Sequence, residues 1–145
     1  MDFMNLKTCY SYLCKQIRTI MDAMKREIKS MEDIRFMVDS FYALVREDEL
    51  IGPIFNDRIG DKWPEHLEKM YRFWQSLLLH EHTYQGAPFV PHASMPIFEA
   101  HFNRWVVLFE QNINTHFEGE IAAEALARAA NIARIFHAKR EALRH

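Results

Sequence analysis

The sequence predicts an all-α domain, and three observations carry that prediction. Four glycines and five prolines in 145 residues come to about half the usual ~12%. Ala, Leu, Met, Glu, Lys and Arg are plentiful while Val and Thr are scarce, which favours helix and leaves little β-branched material for a sheet. Apolar residues recur at helical spacing along most of the chain, and a hydrophobic content of 49% is enough for one sizeable core. The length is that of one ordinary domain.

Taken in order, Leu6, Tyr10, Leu13 and Ile17 mark an amphipathic helix over residues 5–28. Met21 and Met24 are alternative starts of translation, so part of this stretch also reads as a leader outside the fold. Ser30 with Asp33 has the form of a capping box and opens the next helix. Its stripe is Ile34, Met37, Val38, Phe41 and Val45, ending near Glu49. Gly52-Pro53 breaks the chain, a single-turn element is expected around residues 53–56, and Gly60 makes a turn.

Asp61 and Pro64 start a third long helix, because proline is tolerated in a first turn. Trp63, Leu67, Met70, Tyr71, Trp74, Leu77 and Leu78 give it a wide apolar face, with His66 and Phe73 along the edge. Residues 80–96 contain Pro88, Pro91 and Pro96, through which no long helix can pass. A loop of that length in a compact domain is usually functional, and one helical turn near His92 is compatible with it. Two helices finish the chain. Residues 97–117 carry Phe98, Phe102, Trp105, Phe109 and His116 on one face. Residues 119–143 carry Ala122, Ala125, Ala129, Ile132 and Phe136, whose alanines allow close helix approach.

Charge bears on the partners. Eighteen Lys and Arg against twenty Asp and Glu give a net charge of −2, with no basic stripe of the kind nucleic-acid binding needs. No run of about 18 apolar residues is present, so no membrane span is expected. Cys9 and Cys14 fit no zinc, CxxC or covalent-haem pattern. With no secretion leader in Met1–Met21, the expected compartment is a reducing cytoplasm.

Aromatic residues make up 13% of the chain, more than a small helical core needs, and hint at a large flat ligand. His92 sits in the proline-rich break between two aromatic-lined helices, with Phe89 and Phe98 nearby in sequence. A neutral imidazole nitrogen is a good ligand for haem iron, provided its other N–H has a partner that fixes the ring. A histidine simply exposed on a loop is the alternative. Tyr42, His66 and Trp105 lie on three different helices beside large apolar residues. Each needs a hydrogen-bond partner when buried, either backbone or one small polar ligand on which all three converge. Dioxygen on ferrous iron carries partial negative charge and is such a ligand. His80-Glu81-His82 looks metal-like, but residues two apart on a helix point away from each other, and a solvated helix end explains it better.

Residues from about Met24 to Ala142 resemble the truncated haemoglobins, specifically their third group. The resemblance rests on FYALVREDELIGPIFN (41–56), KWPEHLEKMYRFW (62–74), FVPHASMPIF (89–98) and FNRWVVLFE (102–110), in order and at the family's spacing. The glycine pairs of the other two groups are missing, as in the third. The resemblance implies a truncated globin fold, helices packed two over two around a haem. It divides the chain into an extension, residues 1–23, and a globin domain, residues 24–145.

On that resemblance His92 falls at the proximal iron ligand, and Tyr42, His66 and Trp105 at the distal ligand-binding positions. Phe55 falls where a phenylalanine packs on the haem, and Lys69 where a basic residue pairs with a propionate. Met70, Phe73 and Trp74 are expected on the distal side of the haem, with Phe89 and Phe98 nearer its proximal side.

The implied protein is a cytoplasmic haem protein that reversibly binds O2, NO, CO or peroxide at iron. Its roles would be oxygen binding or transport, NO dioxygenase or peroxidase-like chemistry, with a reductase as partner. Without a CxxCH motif the cofactor would be haem b, iron protoporphyrin IX held non-covalently. Two rivals from other classes remain. One is a cofactor-free helical interaction module, and the other a non-haem metal site using His80, His82 and His92.

Overall fold

A computed structural model describes residues 3–144. Six α-helices follow in order: α1 (Phe3–Ala23), α2 (Met31–Glu47), α3 (Gly52–Ile59), α4 (Trp63–Leu78), α5 (Glu99–His116) and α6 (Glu120–Arg144). No strand occurs among the described residues; a lone bridge pairs Arg26 with Phe117. The Arg26 N–H donates to the His116 carbonyl, and the Glu118 N–H donates back to Arg26, so the segment before α2 is fastened to the end of α5. That fastening ends α1 at Ala23, five residues before the helix expected from periodicity.

Each start has a local cause. The Asp33 carboxylate accepts the Lys29 N–H at 2.9 Å and the Ser30 N–H at 3.1 Å, completing the capping box of α2. Prolines occupy the first turns of α3 and α4, where a missing N–H costs nothing. At α5 the N-cap Phe98 N–H donates to His101 Nδ1 at 2.8 Å, so an imidazole at the third helical position does the work a Glu or Gln usually does there. The element after Gly52 is longer than expected, two turns rather than one, since Gly52-Pro53 starts a helix instead of only ending one.

Helix α2 packs on α4 and α5, α5 packs on α6, and α6 touches α4: two helices lie over two. An aromatic ladder locks the layers. Phe41 of α2 meets Phe109 of α5 edge-on at 5.1 Å, and Trp74 of α4 stacks on Phe109 at 5.0 Å. Such pairs add about 0.5–1.5 kcal/mol each beyond the area they bury. Ala122, Ala125, Ala129 and Ala133 are buried where α6 meets its neighbours. Asn112, 1% exposed, donates to the Met37 carbonyl at 3.0 Å and pins α5 to α2.

The long connection from α4 to α5 is irregular but tied down. Ser76 Oγ accepts the N–H groups of Thr83 and Tyr84 at 3.2 and 3.0 Å. Arg140 and Arg144 of α6 donate to the carbonyls of Ala93 and Ile97. Between these anchors the chain makes one 3-10 turn, Val90–His92, where a single helical turn was expected. Among the described residues no helix is long and apolar enough to cross a membrane.

Candidate functional site

A cavity of about 820 Å³ opens between α2, α3, α4, α5, α6 and the proline-rich loop. That is in the range of sites that enclose a large organic ligand. Tyr42, Phe55, His66, Lys69, Met70, Phe73, Trp74, His92 and Trp105 all line it. Five elements thus bring the expected residues together: α2, α3, α4, the loop turn that carries His92, and α5.

His92 enters from the 3-10 turn. Its Nδ1 lies 2.6 Å from the Pro88 carbonyl oxygen, which can only accept a hydrogen bond, so Nδ1 carries the proton and donates it to the bond. The neutral ring is then in the tautomer that leaves an Nε2 lone pair. Phe136 of α6 packs against the imidazole, with ring centres 5.0 Å apart. Burial lowers the pKa of His92, the Pro88 contact opposes this, and Arg58 lowers it further, so the neutral form is favoured.

His66 enters from α4. Its Nε2 is buried and has no hydrogen-bond partner, an orphan that polar groups in a folded core rarely are. Burial, then the charges of His92 and Lys69, holds its pKa down to about 4. Tyr42 is 5% exposed and meets His66 edge-on at 5.3 Å. Burial pushes the phenol above its ordinary value of 10, so it remains an O–H donor. Trp63 completes this corner, 5.7 Å from Tyr42 and 5.6 Å from His66, with Arg46 over its outer face at 4.6 Å. Trp105 stacks on Phe109 at 5.7 Å and stands edge-on to Phe41 at 5.4 Å, which fixes the indole against the cavity wall.

The rim is cationic. Arg58, Lys62, Lys69 and Arg72 are exposed and line the cavity, with Glu65 as the acidic member. Arg58 also donates to the Pro91 carbonyl at 3.4 Å, bracing the loop that carries His92.

Not every expected residue reaches the site. Phe89 and Phe98 are outside the lining: Phe89 packs on Phe136 and beneath Lys139, and Phe98, half exposed, packs on His101 and Arg144. The 3-10 turn sends Phe89 outward, and an extended backbone at Phe98 does the same there. Other residues were missed. Tyr84, Met95, Phe102 and Phe136 line the cavity, and Phe136 could have been found from its stripe with Ala129 and Ile132 on the last helix. His80 and His82 are not in the lining, and among the described residues no group of three His, Cys, Asp or Glu could hold a metal ion.

These residues fit a haem. The walls are apolar and aromatic, one imidazole nitrogen has an unused lone pair, a second buried imidazole lacks a partner, and the rim offers cations to two carboxylates. A two-over-two helical fold with such a cavity defines a globin. The bacterial-like globin family matches residues 20–138, and the chain belongs to it. Within the family it is a truncated haemoglobin of the third group. It is 38% identical over 117 residues to a group 3 truncated hemoglobin of Campylobacter jejuni, which covers 78% of this chain and 92% of the relative. The crystal structure of group III truncated hemoglobin from the same organism superposes with a TM-score of 0.72, at 38% identity, over 79% of this chain and 94% of that one. Haem-based binding of small ligands is the general activity that membership carries.

Proposed function

We propose that this protein holds haem b non-covalently, with His92 as the proximal iron ligand and Tyr42, His66 and Trp105 as distal donors to a bound diatomic ligand. One observation carries the reading. His92 has its Nδ1 engaged by a backbone carbonyl, in the wall of a cavity that Tyr42, His66 and Trp105 also line. Haem, when bound, supplies the ligand-binding iron and its redox chemistry.

The chain's own residues do the rest. Pro88 orients His92 and raises its basicity, as outer partners of metal-binding histidines do. Phe55, Met70, Phe73 and Trp74 exclude water from the macrocycle, and Lys69, with Arg58 and Arg72, faces its carboxylates. Tyr42 and Trp105 are donors at neutral pH, and neutral His66 can donate or accept depending on tautomer. A set of preorganised donors holds a partly anionic ligand strongly and slows its release. Slow release suits conversion of the ligand better than delivery, so oxidation of NO to nitrate with O2, or a peroxidase-like reaction, is the proposed activity. Either needs electrons returned to the iron, and a cytoplasmic reductase is the proposed partner.

The test is an absorption spectrum of the purified protein with and without added haemin, followed by reduction under CO. The expected result is an intense Soret band that shifts when CO binds. A protein that stays colourless with haemin overturns the proposal, and NO consumption without nitrate formation overturns the dioxygenase assignment.

A further inference from the structure

The cavity wall carries a run of aromatic rings in contact. Trp105 stacks on Phe109 with ring centres 5.7 Å apart, and Phe109 stacks on Trp74 at 5.0 Å. Trp74 meets Phe73 edge-on at 5.5 Å, and Phe73 meets Tyr84 edge-on at 5.3 Å. Trp105, Trp74, Phe73 and Tyr84 line the cavity, while Phe109 is 1% exposed and bridges the two indoles. The run thus begins at the α5 wall, crosses the core and ends in the loop between α4 and α5. Indole and phenol lose one electron far more easily than the ring of phenylalanine. Trp105, Trp74 and Tyr84 are therefore the oxidisable stations, and Phe109 and Phe73 fill the gaps between them.

Tyr84 is held at its end of the run. Its N–H donates to Ser76 Oγ at 3.0 Å. Its ring folds back over Gly86, where a Cβ would stand 2.8 Å from the hydroxyl oxygen and 3.1 Å from Cζ. Any side chain at position 86 would push the phenol away. Tyr84 is partly exposed and its neighbours Thr83, Gln85 and Gly86 are exposed, which gives the phenolic proton a way out to water. The other tyrosines lack one feature or the other. Tyr42 lines the cavity but is 5% exposed. Tyr71 donates to Asp39 and stands outside the run. Tyr10 and Tyr12 lie on α1, away from the cavity.

We propose that these rings relay oxidising equivalents from the cavity to Tyr84, making Tyr84 a surface site where small phenols are oxidised by hydrogen peroxide reduced inside. The inference rests on haem binding as proposed above, since haem supplies the one-electron chemistry. One hydrogen peroxide takes up two electrons and two protons and becomes two waters. The electrons leave Tyr84 one at a time and pass through Trp74 and Trp105 to the haem. At each step Tyr84 releases its phenolic proton to water and becomes a neutral radical. A phenol at the surface then returns one electron and one proton to Tyr84 and leaves as a phenoxyl radical. Two phenols are consumed per peroxide, and the chain is restored. The reductant need not enter the cavity, so the site leaves room at the iron for the small ligand alone.

The experiment uses the haem-loaded full chain, checked by its Soret band, mixed with a few equivalents of hydrogen peroxide and frozen for electron paramagnetic resonance. A tyrosyl radical is expected in the parent. It is expected to be lost in Tyr84→Phe, to persist in Tyr71→Phe and to fall severalfold in Trp74→Phe, which keeps a ring against Phe109. A nitroso spin trap is expected to label Tyr84 in peptide mass spectra, and added phenol to quench the radical. A signal unchanged in Tyr84→Phe, or lost in Tyr71→Phe, overturns the site. An undiminished signal in a haem-loaded Trp74→Phe overturns the relay, and a radical that phenol does not quench overturns the surface oxidation. A haem-loaded parent with no tyrosyl radical overturns the proposal while haem binding stands. A parent with no Soret band overturns haem binding and the relay together.

Discussion

The Nδ1 atom of His92 lies 2.6 Å from the carbonyl oxygen of Pro88, four residues earlier in the same loop. The 3-10 turn that brings these atoms together is held from outside by Arg58 and by Arg140 of α6. The ring is therefore oriented before any ligand arrives, and its remaining nitrogen is committed to the cavity.

His92→Ala is expected to leave haem bound below one equivalent per chain, with an altered Soret position, while the helical content stays that of the parent. Imidazole added to the buffer is expected to restore the normal spectrum by occupying the vacated space. Haem titration followed by absorption measures both. Full, normally ligated haem in the variant without imidazole would show that another residue binds the iron.

Trp105→Phe keeps an aromatic ring against Phe109 and removes the indole N–H together with the second ring. A hydrogen bond to a charged acceptor is worth about 1.5–3 kcal/mol, and 1.4 kcal/mol is a factor of ten in an equilibrium or a rate. The O2 dissociation rate, measured by stopped-flow replacement with CO, is expected to rise roughly tenfold or more. An unchanged rate removes Trp105 from the donor set and leaves the ligand to Tyr42 and His66.

The main helices were legible in the sequence because their apolar residues keep the helical period and because Ser30, Asp33, Pro53 and Pro64 mark their starts. Tyr42, His66 and Trp105 could be singled out as polar members of aromatic faces, and the resemblance to the third group of truncated haemoglobins placed them in one pocket. What sequence did not show follows from backbone direction and distance. Phe89 and Phe98 flank His92 in the chain, yet the 3-10 turn at one and the extended residue at the other point them away from it. Met95 and Phe136 lie 41 residues apart, and only the packing of the loop on α6 makes them neighbours in the cavity wall. The length of α3 was hidden because Gly52 is read locally as a breaker, whereas its lack of a side chain serves the contact between α2 and α3.

Asp48 couples that corner to α5. Its carboxylate accepts the N–H groups of Leu50 and Ile51 at 3.0 Å and pairs with Arg104 at 3.1 Å. Burial alone would raise its pKa, but the Ile51 and Leu50 bonds and Arg104 together hold it below the ordinary 3.8. The folded pKa is the lower one, so the stabilisation is complete above the unfolded value and is lost as pH falls through the folded value. Asp48→Asn is expected to cost about 1–2 kcal/mol at neutral pH. Thermal melts should show a gap between parent and variant that is constant above about pH 5 and closes as pH drops below 4. A gap that persists unchanged into acid would mean that the charge of Asp48 contributes nothing.

Gly52 lies where α3 passes closest to the end of α2. A Cβ there would stand 2.9 Å from the Arg46 carbonyl oxygen and 3.0 Å from that of Val45, so backbone would have to move. Because α3 carries Phe55 and Arg58 to the cavity, the shift would reach the site. Gly52→Ala is expected to destabilise the fold by about 1–3 kcal/mol, as overpacking does, and to speed haem loss to an acceptor protein. Gly60 is the control, with φ +59° and nothing within 4 Å of an added Cβ. Gly60→Ala, at φ +59° and ψ −122°, carries backbone strain alone, on the order of 1–3 kcal/mol, and its haem loss is expected to stay near the parent rate. Equal rates in the two variants would show that the close approach at Gly52 does not set the position of α3.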